Sequence, residues 1–232
     1  MRRSIAAGVV LLAGLGMTGC GTLGATWQAV PTGSPVLTKD GAQLALLVPD
    51  NVGDEFRAFE EPSWIGGGCL ENPTDVLDYL GPVEAKRAII HDTGWPTVDS
   101  YAWGTADDEQ MAAAFDELQQ AIHDCTEVSM RYGEDYYDLR VRPERPSTFP
   151  GADERIGYVA RGWGRSKGER WPVVLRMSFL RFGSSAIAVQ ADSYTNDDDV
   201  HEGLVELAAH RLAAVLEGRT PALEGYEPGT SA

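Results

Sequence analysis

The fold is decided between residues 127 and 192, where five stretches carry apolar residues at every second position. They are EVSMRY (Glu127–Tyr132), YYDLRVR (Tyr136–Arg142), RIGYVARGW (Arg155–Trp163), WPVVLRMSFLRF (Trp171–Phe182) and SAIAVQAD (Ser185–Asp192). Glycine and proline mark the segments between them, and no helical pattern interrupts the series. Consecutive strands without intervening helices predict an antiparallel meander rather than a doubly wound parallel sheet.

Helical patterns lie on both sides of this meander. One apolar stripe has spacings of three and four residues, which predicts a helix capped by Thr105 or Asp107. Its members are Met111, Phe115, Leu118, Ile122 and Cys125. A second helix is predicted from Asp197-Asp198-Asp199 to about Leu216. Strands are also expected over residues 86–92 and 97–103, and a short helix over 39–48. The predicted fold class is therefore α+β, an antiparallel β-sheet flanked by two long α-helices, with room for a cleft.

The first twenty residues have the order of a secretory signal. Met1-Arg2-Arg3 is charged, residues 5–15 are almost wholly apolar, and small residues lead to Cys20. The apolar run is too short to span a bilayer, which takes roughly 20 residues. A cysteine at the cleavage point resembles the lipobox of bacterial lipoproteins, which implies lipidation of Cys20. Ordinary cleavage near Gly19 is the alternative.

This signal sets the expected domain organisation. Residues 1–19 are predicted to be a lipoprotein signal peptide, 20–35 a flexible tether, 36–218 a single domain and 219–232 a disordered tail. Because stable anchoring takes two acyl chains, a diacylated Cys20 would hold the domain on the membrane. We therefore expect a lipid-anchored protein on the extracytoplasmic face of the cell membrane.

Cys69 and Cys125 are the two other cysteines of the chain. An even pair in an exported domain predicts a disulfide. A reactive thiol and a metal-binding pair are the alternatives, although the sequence has no CxxC motif and no histidine at ligand spacing.

The charge of the chain is large and unevenly spread. Its net charge is −16, which argues against nucleic acid and anionic lipid headgroups as partners of the surface as a whole. Between Arg131 and Arg181, however, ten Arg and one Lys face seven acidic residues, a local surplus of four positive charges.

Several short motifs resemble the extracellular sensor domain of the mycobacterial serine/threonine kinase H family, which also occurs in actinobacterial lipoproteins. They are Cys69-Leu70 after a Pro/Gly-rich segment, Tyr101-Ala102-Trp103, Thr105-Ala106-Asp107, Cys125, and the meander followed by a helix. The similarity covers about Leu37 to Leu216. It implies an antiparallel sheet with two long helices and a ligand-binding cleft. The family has two disulfides, and this sequence has cysteines for the first alone.

Motifs of catalysis are missing from the sequence. It has no Gly-x-Ser-x-Gly elbow, His-Glu-x-x-His sequence or phosphate-binding loop. The four histidines show no ligand spacing and are interpreted as solvent-facing or helix-end residues. Asp197-Asp198-Asp199 lacks the alternating spacing of a calcium loop and suits a helix N-terminus. We therefore expect neither catalytic residues nor a metal or cofactor.

Arginines on the predicted strands are the candidate ligand-binding residues. Alternation places Arg140 and Arg142 on one face of their strand, and Arg161 lies on the next strand among aromatic residues that include Tyr158 and Trp163. Arginine suits bidentate contacts to carboxylates and phosphates. The hypothesis is a site for an anionic or amphiphilic envelope molecule. Alternatively, the arginines pair with acidic residues of the helices.

Three functions remain open from the sequence. The first is a lipid-anchored, sensor-like module that binds a ligand or a partner without catalysis. The second is a cell-envelope enzyme with a site outside known motifs, for example a carboxylate pair assembled across the fold. The third is a scaffold for other envelope proteins.

Overall fold

The computed structural model describes residues 36–59, 69, 76–78, 80, 83–144, 149–193 and 198–222. The predicted signal peptide, Cys20, the tether and residues 223–232 lie outside the described residues, so their predictions are untested. Within the described ranges, no helix combines the length and apolar character that a membrane span requires.

Eight strands and four helices have both ends within the described residues, and residues 76–78 are helical as well. The strands are β1 (Phe56–Phe59), β2 (Val83–His91), β3 (Thr97–Gly104), β4 (Glu127–Tyr132), β5 (Asp135–Pro143), β6 (Glu154–Ser166), β7 (Glu169–Phe182) and β8 (Ser185–Ser193). The helices are α1 (Lys39–Ala45), α2 (Pro49–Val52), α3 (Asp108–Asp124) and α4 (Asp198–Leu216).

All eight strands belong to one antiparallel sheet with the order β1-β2-β3-β8-β7-β6-β5-β4. The meander predicted over residues 127–192 is confirmed as β4 to β8. Strands β2 and β3 are confirmed too, and the pairing of β3 with β8 extends the meander into a wider sheet. The sequence analysis missed β1 altogether. It also placed a helix up to Pro49, whereas Pro49 begins α2.

The prediction of a sheet flanked by two long helices is wrong, although the broad α+β class holds. The domain is mostly one sheet, and eight strands spaced about 4.8 Å apart make it roughly 34 Å wide. A helix is only about 10 Å across and covers two or three strands. On one side α4 contacts β7 and β8 while the short helix α1 contacts β2 and β3. Cover by the described helices is therefore partial.

Two cores fill the opposite sides of the sheet, here called the α3 side and the α4 side. The α3-side core contains Trp103, Phe115, Tyr158 and Phe179, and the α4-side core contains Ile89, Phe182, Leu204 and Leu212. Side chains of a strand alternate between the two sides. At the centre of the sheet both sides are covered, so β3 is buried at every position.

Helix α3 agrees with its predicted pattern. Its five stripe residues are buried, and the Asp107 carboxylate accepts hydrogen bonds from the backbone N–H groups of Glu109 and Gln110. Cys125 follows the helix directly and forms a disulfide with Cys69, with the two Cα atoms 5.4 Å apart. The predicted disulfide is thereby confirmed, and it joins the end of α3 to the chain before β2.

Helix α4 ends as predicted, because Gly218 follows it with a left-handed φ of 72°. Pro221 is buried, and Arg211 Nη1 donates a hydrogen bond to the carbonyl oxygen of Ala222 at 3.0 Å.

Candidate ligand-binding face

The α4 side of β4, β5 and β6, together with the start of β7, carries an exposed polar surface here called the open face. The register arranges its residues in three rows across the strands. They are Arg131, Tyr136, Arg165 and Arg170; then Ser129, Asp138, Trp163 and Pro172; then Glu127, Arg140, Arg161 and Val174. Successive rows lie about 6.6 Å apart, because side chains on one face of a strand are two residues apart.

Arg140 and Arg161 are direct cross-strand partners in the third row. Both are exposed, as is Arg142 two residues further along β5. Glu127 stands across from Arg140 on β4. Among the described residues, no carboxylate oxygen lies within 4.0 Å of the guanidinium nitrogens of Arg140 or Arg142. Arg140 and Arg142 therefore present positive charge to solvent, where an anion can form charge-assisted hydrogen bonds with them.

Arg165, Arg170 and Arg131 of the open face have local partners. Arg165 Nη2 lies 2.5 Å from Asp138 Oδ2. Arg170 stacks over Trp163 with its guanidinium carbon 4.0 Å from the ring centroid, and Arg131 lies 5.3 Å from that of Tyr136. Trp163 and Tyr136 are nevertheless 42% and 46% exposed. The first two rows therefore offer aromatic rings, and the third offers positive charge.

The structure brings together four of the five predicted ligand residues, namely Arg140, Arg142, Arg161 and Trp163. Tyr158 points to the opposite side of β6, where it is fully buried in the α3-side core. Alternation along β6 already indicated this orientation. Tyr158 is an odd number of residues away from Arg161 and Trp163, so its side chain points to the other face of the strand. The same alternation would have added Tyr136, which shares the parity of Arg140 on β5.

The alternative interpretation, pairing with acidic residues of a helix, applies to two other arginines. Arg155 binds Glu202 of α4 through both terminal nitrogens, at 2.7 and 2.5 Å, and Arg176 pairs with Asp198 of the same helix. Glu144 lies between the arginines, 3.8 Å from Arg155 and 3.3 Å from Arg176. The hydrogen bond from Arg155 lowers the pKa of Glu202, whereas burial raises the pKa of Glu144. This network attaches α4 to the sheet.

His201 is buried beneath this network. The sequence analysis interpreted the histidines as solvent-facing or helix-end residues. His201 does lie in the first turn of α4, but it does not face solvent. Its Nε2 atom lies 3.0 Å from Ser178 Oγ. Burial lowers the pKa of His201 to about 3. The Ser178–His201 pair is enclosed between β7 and α4, with exposed fractions of 0% and 1%.

A carboxylate pair does occur, on the α3 side of β3 and β8. Asp99 stands opposite Gln190, and Asp192 stands opposite Thr97 one row away. Asp192 accepts hydrogen bonds from Thr97 Oγ1 and Gln190 Nε2, both at 3.2 Å. Burial and the charge of Asp99 raise the pKa of Asp192. The exposed fractions of Asp99 and Asp192 are only 1% and 0%, so neither carboxylate is in contact with solvent.

No family model and no curated protein sequence matches this chain. Among solved structures, the chain is similar to the extracellular domain of PknH from Mycobacterium tuberculosis, with a TM-score of 0.54 and 10% sequence identity. The match covers 80% of this chain and 100% of that chain. At this identity the similarity shows the fold alone. The chain therefore shares the fold of that extracellular domain.

Proposed function

We propose that this protein is an extracytoplasmic, sensor-like domain that binds an anionic ligand on its open face and has no catalytic activity of its own. The observation that carries the proposal is the exposed pair of Arg140 and Arg142 on one face of β5, with no carboxylate within 4.0 Å among the described residues, on a protein with a net charge of −16. Guanidinium groups that extend to solvent side by side are suited to charge-assisted hydrogen bonds with an anion.

The surroundings of the pair support a binding role. Arg155 and Arg176 have carboxylates of α4 and the adjoining loop as partners, so they hold the fold together. Arg140 and Arg142 have no such carboxylate among the described residues and extend to solvent. Arginines of one meander thus divide into a structural group and an exposed group.

The enzyme alternative gains no support from the carboxylate pair. General acid–base catalysis needs the carboxylates within hydrogen-bond reach of a substrate. Asp99 and Asp192 are enclosed in the α3-side core, where no substrate reaches them without opening the sheet packing. Binding is therefore the function that the exposed residues favour.

The anchor is the second part of the proposal. A lipid on Cys20 would place the open face outside the cytoplasm, close to the bilayer. Replacing Cys20 with serine should move the protein from the membrane fraction to the soluble fraction of the cells that produce it. Membrane association that survives the substitution would contradict lipidation at this residue.

The binding role is tested by native mass spectrometry of the protein purified from its own envelope. We expect a retained anionic molecule on the wild type and its loss from Arg140→Gln/Arg142→Gln/Arg161→Gln. The matched control is Arg57→Gln/Lys86→Gln/Arg219→Gln, which removes the same charge from exposed sites outside the open face. Retention by both triple variants, or no anionic molecule on the wild type, would refute the proposal.

A further inference from the structure

We infer that the outer edge of β4 pairs antiparallel with the β4 edge of a second copy, which joins two molecules into a symmetric dimer with one continuous sheet. Strand β4 is the last of the eight, and no other described strand pairs with its outer side. Such an edge is a template for another strand. The inference is independent of the anion site, because it rests on the backbone of β4 and on two side chains that do not hold the proposed anion.

The pairing of β4 with β5 determines which backbone groups of β4 face outward. The N–H group of Val141 donates to the carbonyl oxygen of Thr126 at 2.8 Å, in the same register as the rest of the pair. Hydrogen-bonded positions alternate along an antiparallel pair, so the even-numbered residues of β4 are bonded to β5. The outward N–H and C=O groups therefore belong to Glu127, Ser129 and Arg131.

The disulfide lies near one end of this edge. Cys69 Sγ is 3.5 Å from the carbonyl oxygen of Glu127. A sulfur in a disulfide carries no hydrogen, so it does not donate to that oxygen, which can still accept a hydrogen bond from another strand. Cys69 packs against the α3-side core, on the side of the sheet opposite the open face.

Charge selects one register for the pairing of two copies. When Ser129 stands opposite Ser129 of the second copy, Glu127 of each copy stands opposite Arg131 of the other. Both of these opposite-charge pairs lie on the open-face side, where the three side chains are exposed. A register centred on Arg131 would instead bring two like charges together, which is unfavourable.

The two charged side chains of β4 retain the groups that this pairing needs. Arg131 donates through Nε to the carbonyl oxygen of Gly133 at 2.9 Å, and its guanidinium lies over the ring of Tyr136. Its two terminal nitrogens can thus still donate to a carboxylate. Within the described part of the chain, no basic side chain lies within 4.0 Å of the Glu127 carboxylate.

The other side of the paired edge is apolar. Val128 is buried in the α3-side core and Met130 packs against that core. The register centred on Ser129 places Val128 of one copy opposite Met130 of the other, so apolar residues meet on the α3 side while opposite charges meet on the open face. The two-fold axis is perpendicular to the sheet, and the open faces of the two copies therefore lie side by side.

The test is sedimentation of the purified protein at concentrations up to about 1 mM, because strand pairing of this length buries less than the standard interface of about 1,600 Å². We expect a monomer–dimer equilibrium in the wild type. Glu127→Arg and Arg131→Glu should each weaken it at least about tenfold, since two attractive pairs become repulsive. An equimolar mixture of the two variants should form a heterodimer, because every facing pair then has opposite charges again.

The matched controls are Glu117→Arg on α3 and Arg57→Glu on β1, which make the same charge reversals at exposed sites outside β4. Both should dimerise as the wild type does. A wild type that stays monomeric, or dimerisation that neither β4 variant weakens, would overturn the inference. A mixture of the β4 variants that stays monomeric would overturn the register.

Amide hydrogen exchange distinguishes this edge from other interfaces. The amides of Ser129 and Arg131 should exchange more slowly as the protein concentration rises, whereas those of Val128 and Met130 are bonded to β5 in the monomer already. Slow exchange of the Ser129 and Arg131 amides in dilute protein would show that another part of the same chain covers the edge, and the dimer would then be excluded.

Discussion

Arg140 on β5 and Arg161 on β6 face each other directly across the strands, and both side chains reach solvent from the open face. Opposite-charge pairs at such positions stabilise a sheet, whereas like charges destabilise it. The register thus brings two positive charges next to each other on the open face, and positive charge is what an anion requires.

Removing Arg140 should stabilise the unliganded protein. Arg140→Gln removes one of two like charges on directly opposed residues, and we expect a gain of up to about 1 kcal/mol in the free energy of unfolding at low ionic strength. The gain should shrink at high salt, where exposed charges are screened. Urea unfolding at two salt concentrations measures it. Arg165→Gln serves as the control, because it removes a pairing with Asp138 and should give no gain.

The contacts of Arg155 should matter more for stability than those of an exposed arginine. Arg155→Met leaves the part-buried Glu144 with one arginine fewer and deprives Glu202 of its bidentate partner. We expect a loss of about 1 to 3 kcal/mol in unfolding free energy. Arg165→Met, which removes an ion pair between two exposed side chains, should lose less than about 1 kcal/mol. Equal losses for the two variants would contradict a structural role for the Arg155 network.

The disulfide should be a main contributor to stability. Cys69 and Cys125 are separated by 56 residues, and closing a loop of that size stabilises the folded state by about 4 kcal/mol in the chain-entropy model. The double variant Cys69→Ser/Cys125→Ser should therefore unfold at clearly lower urea concentration. Adding a reductant to the wild type should reproduce most of the loss. A reductant without effect on the wild type would argue against the bridge in solution.

His201 should make the fold sensitive to acid. In the unfolded chain this histidine takes up a proton near its ordinary pKa of 6.5, whereas burial holds the pKa in the folded chain at about 3. The unfolded state thus binds more protons between these limits. Stability is present above pH 6.5 and is lost as the pH falls towards 3, by at most about 1.4 kcal/mol per pH unit.

The variant His201→Gln separates this contribution from that of the carboxylates. Its amide retains hydrogen-bonding capacity towards Ser178 and does not titrate, so the unfolding free energy should fall less steeply with decreasing pH than in the wild type. His123→Gln, at an exposed site on α3, should keep the wild-type slope. Identical slopes in all three proteins would show that His201 does not stay neutral in the folded state.

The strands of the meander and the stripe of α3 could be predicted because both depend on local periodicity. Each inward residue of α3 from Met111 to Ile122 is buried, as its spacing indicated. The width of the sheet could not be predicted in the same way. It depends on the pairing of β3 with β8, two strands that are separated by 80 residues of the chain.

The candidate site was partly predictable for the same reason. Alternation within β5 and within β6 groups Arg140 with Arg142 and Arg161 with Trp163, and the structure confirms those groupings. The register between the two strands is a tertiary property, so the direct opposition of Arg140 and Arg161 was not available. Tyr158 was grouped with them because it is close in sequence. The alternation of side chains along β6 places it on the other side of the sheet.

The most direct test of the account is NMR observation of the arginine side chains while inorganic phosphate is added at low ionic strength. The Nε–Hε signals of Arg140 and Arg142 should shift together and saturate, while those of Arg155 and Arg176, which carboxylates already engage, should stay in place. Signals of Arg140 and Arg142 that do not move, or that move no more than those of Arg155 and Arg176, would contradict an anion site on the open face.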